Sequence, residues 1–121
     1  MMKIVKINWI DESQQDADIT ISDGVYSITC FSSPCILKEG EVFKGKLYAF
    51  DVENVYKAYE KSPAIVKGEG YYEYFIRGEL ELRTSTVQIG ELLIDVSDAL
   101  IPKDISGGEM IELKVNRFNI Y

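Results

Sequence analysis

Along most of the chain, apolar and polar residues alternate with the period of two that puts successive side chains on opposite faces of a β-strand. The pattern is clearest over Ala17–Phe31, ADITISDGVYSITCF, where two runs rich in Ile, Thr, Val and Tyr flank Asp23-Gly24. An Asp-Gly pair between such runs predicts a hairpin with a two-residue loop, since both positions tolerate positive φ. Setting Ser22 opposite Val25 makes Ile21 face Tyr26, Ile19 face Ile28 and Ala17 face Cys30, with Thr20 and Ser27 on the other side. A slip of one residue would exchange the faces, so the isoleucine face is assigned to the core and the Thr20/Ser27 face to solvent.

The same alternation marks other strands. Lys3–Ile10 is expected to pair with the hairpin or with the C-terminal strand, with Val5, Ile7 and Trp9 on one side. Val42–Phe50 sets Phe43, Gly45, Leu47 and Ala49 against Lys44, Lys46 and Tyr48. Tyr71–Leu82 is the longest run: Tyr72, Tyr74, Ile76, Gly78, Leu80 and Leu82 share one face, while Glu73, Phe75, Arg77, Glu79 and Glu81 share the other. Val87 and Ile89 begin a return strand whose phase changes at Gly90-Glu91 before Leu92, Ile94 and Val96. A glycine-first turn and a bulge both account for that change. In the final strand, Glu109–Val115, the residues Ile111, Leu113 and Val115 point inward. Phe118 and Ile120 have the opposite parity, which predicts a bend near Asn116-Arg117.

One segment has a different period. Over Asp51–Glu60, Val52, Val55, Tyr56 and Tyr59 recur at helical spacing, Asp51 is placed to cap the first turn, Glu53 lies four residues before Lys57, and Ser62-Pro63 ends the run. A short helix of about two to three turns is predicted there, dependent on docking its apolar stripe. Ser97–Glu109 reads as irregular, with room for one helical turn between Pro102 and Gly107-Gly108.

The resulting class is mostly β with one short helix. The order of strand, hairpin, strand, helix, long strand, return strand and final strand resembles an OB-fold or a related small Greek-key barrel, in which a three-strand meander precedes a plugging helix and a closing hairpin. The resemblance rests on Asp23-Gly24 at the first turn, Gly45 in the third strand, the Asp51–Glu60 helix, and Gly78 and Gly90 in the closing part. An extra N-terminal strand and the Ser97–Gly108 insert depart from it. A small β-sandwich would use the same strands.

Length and charge narrow the reading. With 121 residues, the chain is expected to form a single domain over 1–121 with its own hydrophobic core. A formal net charge of −7 works against general attraction to nucleic-acid phosphates or anionic membranes and favours a basic or neutral partner. No apolar run approaches the ~20 residues that span a bilayer, and Met1–Ile10 lacks the features of a secretory signal, so a cytoplasmic location is expected. Cys30 and Cys35, with no histidine in the chain, cannot make a four-ligand zinc site, and they read as buried thiols in preference to a disulfide or redox pair.

The absence of histidine also removes Ser-His and Cys-His nucleophile arrangements. The glutamates at 73, 79 and 81 alternate on what reads as a solvent face, and no glycine loop opens a helix to cradle phosphate. The acidic loop Asp11–Asp16 lacks the spacing of a calcium site. No catalytic residue, metal ligand or cofactor site is assigned, and the chain is expected not to be an enzyme. Eight tyrosines exceed what the inward faces require, and aromatic residues concentrate at contact surfaces. The candidates for partner binding are Tyr71 and Phe75, together with Tyr48, Lys44, Lys46 and Arg77, where cations accompany aromatic rings. The expected function is a non-catalytic binding or protein-interaction module, including self-association. The alternatives are an OB-like binder of single-stranded nucleic acid, which the charge disfavours, and an acidic inhibitor or immunity-type protein for a basic enzyme.

Overall fold

The computed structural model describes Met1–Tyr121 as nine strands with no helix. They are β1 (Lys3–Asp11), β2 (Asp16–Ser22), β3 (Ser27–Ser32), β4 (Leu47–Lys57), β5 (Ala64–Lys67), β6 (Tyr74–Glu81), β7 (Thr86–Ile89), β8 (Leu92–Asp95) and β9 (Met110–Ile120). Strands β9, β4, β8, β7 and β6 pair in that order, and β6 returns to β9 to close a five-stranded barrel. The β4–β8 pairing is parallel and the other four are antiparallel.

This small closed all-β barrel is consistent with an OB-like barrel, but its strands are drawn from different parts of the chain than expected. The meander within it is β6-β7-β8 and not the N-terminal hairpin. One of the two closing strands, β4, precedes the meander in the chain instead of following it. Strands β1-β2-β3 form a wing outside the barrel, joined to it where β3 runs parallel to β9 at Phe31↔Asn119 and Ser32↔Ile120. Wing and barrel share one apolar core, in which Ile19, Ile21 and Ile28 join Ile94, Leu113 and Phe118. Each such fully buried side chain contributes about 1.5–3 kcal/mol relative to exposure.

The predicted helix at Asp51–Glu60 is not formed; most of it is the second half of β4. The reason is a bulge. Glu53 pairs with Lys114 and Tyr56 with Glu112, so β4 spends three steps where β9 spends two, and Asn54 takes φ 57° in the left-handed region that asparagine tolerates. One extra residue in a strand turns period two into a spacing of three. Val52 and Val55 therefore both pack against the core while mimicking a helical stripe.

The β2–β3 hairpin keeps its predicted faces but shifts its register by two. Ser22 pairs with Ser27, Ile21 with Ile28 and Ile19 with Cys30, leaving a four-residue loop, Asp23–Tyr26, in place of the two-residue turn. Asp23 favours the longer loop because its Oδ1 accepts the backbone N–H groups of Val25 (2.9 Å) and Tyr26 (2.8 Å), a local closure that a two-residue turn could not provide. In β1 a bulge at Val5 places both Ile4 and Ile7 on the core side, against Ile21 and Ile19, and leaves Val5 exposed; Trp9 keeps the parity of Ile7, opposite Ala17, but is itself exposed. The long strand begins at Tyr74 and not at Tyr71, with Tyr74, Ile76, Gly78 and Leu80 facing inward as expected, whereas Leu82 lies exposed in the following turn.

At Gly90-Glu91 the structure selects the two-residue turn: Ile89 pairs with Leu92, and Gly90 adopts φ 57°. A Cβ on Gly90 would lie 2.4 Å from Asp23 Oδ2, because the β7–β8 turn docks on the β2–β3 loop. The Glu91 N–H donates to that same oxygen at 2.9 Å. The expected bend in the last strand is present as a change of parity between buried Val115 and buried Phe118. Opposite it, Asp51 takes φ 54°, and Asn116 Nδ2 donates to the Asp51 carbonyl at 2.7 Å, so β4 and β9 turn the corner together. The segment between β8 and β9 is irregular and forms no helical turn; it contributes Ile105 to the core. Cys30 and Cys35 are both buried free thiols, and no helix is long and apolar enough to cross a membrane.

Candidate functional site

Past the corner, β5, β6, β9 and β4 lie side by side, and their pairing decides which side chains share the outer surface. Val66 pairs with Phe75, Phe75 with Lys114, and Lys114 with Glu53; one step along, Ala64 pairs with Arg77, Arg77 with Glu112, and Glu112 with Tyr56. The inward parity is taken by Ile76, Leu113 and Val115, so all of these residues point away from the core. They form an open trough of about 250 Å³. Phe75 and Arg77 lie on its floor, with Val66 and Ala64 on one wall and Tyr56 and Asn54 on the other. Tyr56, Val66 and Phe75 are large apolar side chains left exposed.

The charges in the trough have a defined order. Arg77 donates through Nε to the Ser62 carbonyl at 2.6 Å, through Nη2 to Glu60 at 3.0 Å, and pairs through Nη1 with Glu112 at 3.6 Å. The Ser62 contact folds the β4–β5 connection over that end. Lys114 lies 3.4 Å from Glu53 and 3.5 Å from Glu73. Glu73 and Glu53 hold the Lys114 ammonium above its ordinary value against the opposing effect of desolvation. An amide hydrogen bond from Asn116 (2.8 Å), with Lys114 adding to it, holds the Glu53 carboxyl below its ordinary value. Two cations thus carry four carboxylates. The Arg77 side chain is 19% exposed against 70% for Glu60 and 44% for Glu112. Lys114 is 25% exposed against 51% for Glu53, with Glu73 the one deeper carboxylate at 17%.

The six residues singled out in the sequence do not converge. Phe75 and Arg77 stand together in the trough. Tyr71 does not share their face: the strand starts at Tyr74, so Tyr71 and Tyr72 sit in the β5–β6 turn, and both hydroxyls donate to the buried carboxylate of Asp18, at 2.7 and 2.5 Å. Their rings meet edge to face at 4.6 Å. The hydrogen bond to Asp18 raises the Tyr71 phenol above its ordinary value; for Tyr72 burial is the larger cause and Asp18 adds to it. This clasp ties the turn to the polar face of the wing, so the Thr20 side is only partly open to solvent. Tyr48 pairs with Asn119, five residues beyond Lys114 on β9 and roughly 17 Å away at strand rise. Its ring rests edge-on against Tyr121 at 5.2 Å. Lys46 reaches Asp95 at 3.9 Å, and Lys44 lies exposed in the irregular segment before β4. The Lys44, Lys46, Tyr48 group is therefore separate from Phe75 and Arg77.

Tyr56, Val66, Lys114 and the rim glutamates were not legible as site residues. The helical spacing of Asp51–Glu60 hides Tyr56 and Glu53 as strand residues, and Val66 and Lys114 become neighbours of Phe75 only through strand pairing. The available signal was Val66 and Phe75 at polar-face positions of adjacent short runs. No group of three or more cysteine, aspartate or glutamate side chains is arranged to hold a metal ion. In comparisons with protein-family models, with curated proteins and with solved structures, the chain matches none of them.

Proposed function

We propose that the chain is a non-catalytic binding module that engages a protein partner through the trough over β5, β6, β9 and β4. The observation that carries this reading is the exposure of Phe75 together with Tyr56 and Val66 on the outer face of four paired strands. A paired sheet holds these rings without the entropic loss a mobile loop would suffer on binding, and clustered aromatic side chains on a rigid surface are the usual anchors of protein contacts. The nucleic-acid alternative draws less support from the same surface. Arg77 and Lys114 are already engaged by carboxylates, Lys67 by the Gly68 and Gly70 carbonyls, and Lys44 and Lys46 lie elsewhere.

The test compares capture from native cell extract by the wild-type chain and by Phe75→Glu, with circular dichroism confirming that both are folded. Phe75 faces outward, so the substitution leaves the barrel intact. A specific partner is retained by wild type and reduced at least about tenfold by the variant, as expected when a central aromatic anchor is lost. Equal capture by the two proteins refutes the assignment of the surface.

A further inference from the structure

We infer that the trough is built for a basic segment of a partner protein, one carrying an apolar side chain flanked by lysine or arginine. This rests on the reading of the trough as the contact surface and specifies what it selects. The argument comes from the layering of charge. Arg77 and Lys114 lie low in the trough, while Glu60, Glu112 and Glu53 stand above them at the rim, each more exposed than the cation it contacts. An approaching partner meets carboxylates first. Four carboxylates on two cations leave a local excess of two negative charges around an apolar floor, and the chain as a whole carries −7. Beyond Phe75 and Lys114 the trough continues to Lys67, whose ammonium is held by the Gly68 and Gly70 carbonyls, and to Glu69; this further pair of opposite charges leaves the excess at two.

The local pairing explains why the excess remains usable. Each cation has already found its partners inside the protein, so the outer lone pairs of Glu60 and Glu53 face solvent and can accept new donors without leaving Arg77 or Lys114 unpaired. The Ser62 carbonyl and the Asn116 amide hold the two ends of the arrangement in place. A basic group arriving at either end gains charge-assisted hydrogen bonds, while an acidic or phosphate-bearing ligand must approach through like charge. Phe75, between the two carboxylate groups, supplies the surface for an apolar side chain.

The experiment selects binders from a random twelve-residue peptide display library, using the full chain and, in parallel, Phe75→Glu and the charge-reversed double variant Glu53→Lys plus Glu60→Lys. The expected result is enrichment of peptides with net positive charge and at least one large apolar residue. Their binding should weaken about tenfold or more in each variant and on raising salt from about 50 to 500 mM. If enriched peptides depend on Phe75 but are neutral or acidic, the trough remains the contact surface and the inference about basic segments is overturned. Basic peptides that bind Phe75→Glu as well as wild type reflect diffuse attraction and overturn it too. Failure to enrich anything over Phe75→Glu removes both the surface and its selectivity. Direct binding of a twelve-nucleotide oligothymidylate to the wild-type chain without peptide, lost in Phe75→Glu, would assign the trough to nucleic acid instead.

Discussion

Replacing Asp23 with alanine tests how the wing is held to the barrel. Its carboxylate accepts three backbone N–H groups: Val25 and Tyr26 in its own loop, at 2.9 and 2.8 Å, and Glu91 across the interface, at 2.9 Å. The local pair is equivalent to a helix N-cap, whose loss costs about 1 kcal/mol. The Glu91 bond is charge-assisted, a class that contributes about 1.5–3 kcal/mol, reduced here to about 1 because the loop is partly wet. Asp23→Ala should therefore lose about 2 kcal/mol, or roughly 6–10 °C in Tm for a chain of this size. Burial pushes the Asp23 carboxyl up, but the N–H groups of Glu91, Tyr26 and Val25 outweigh it and hold the carboxyl below its ordinary value. A group depressed in the folded state stabilises the fold above its unfolded pKa of about 3.9, and loses that contribution as pH falls through the folded value. The gap between wild type and variant should be complete at neutral pH and narrow from about pH 4 downward. Urea unfolding followed by far-ultraviolet circular dichroism at several pH values measures it. A loss under about 0.5 kcal/mol, or a gap that stays constant into acid, would refute the reasoning.

Three other substitutions or treatments probe the remaining features. Asn54→Ala would stabilise a helix, but at φ 57° in the bulge it should cost about 1 kcal/mol, with Asn54→Gly near neutral; the two urea midpoints decide it. Gly78→Ala would put a Cβ 2.7 Å from the Gln88 carbonyl oxygen and from the Val87 and Ile89 side chains, so thermal melts should show a loss of about 2–3 kcal/mol. Both thiols are buried, and burial with the nearby Asp18 charge pushes the Cys30 thiol well up. Ellman's reagent should label neither cysteine at an appreciable rate in the native protein and both rapidly in urea; fast native labelling would contradict the packing.

What could be read from the sequence follows from how local each signal is. The faces of β2, β3, β6 and the first half of β9 were legible because alternation is written in consecutive residues and survives a register shift of two, as at Ser22↔Ser27. Asp51–Glu60 has a helical spacing without a helix because a bulged strand and a short helix place Val52 and Val55 alike. Which strands close the barrel was not legible either: nothing local in Leu47–Ala49 indicates that it will lie between β8 and β9. The site followed the same rule. Phe75 and Arg77, on one strand, were identified from alternation, whereas Tyr56, Val66 and Lys114 arrive beside them from three other strands. Alternation extends the strand to Tyr71, but Asp18, distant in sequence, holds that residue in the turn.

Strand β9 has a consequence for how the chain reaches its fold. It is the one element that pairs with β3, β4 and β6, and it follows all three in sequence, with Phe31 meeting Asn119 across most of the chain. Such pairings defer their stabilisation until a long loop has closed, which makes folding slow relative to its stability. Until β9 docks, three strands present unpaired backbone edges of the kind that recruit other chains. A chain stopped before Met110 would keep its two meanders, β1-β2-β3 and β5-β6-β7-β8, but have no closed barrel and no trough. Its characteristic failure would be edge-to-edge aggregation and not a smaller folded domain.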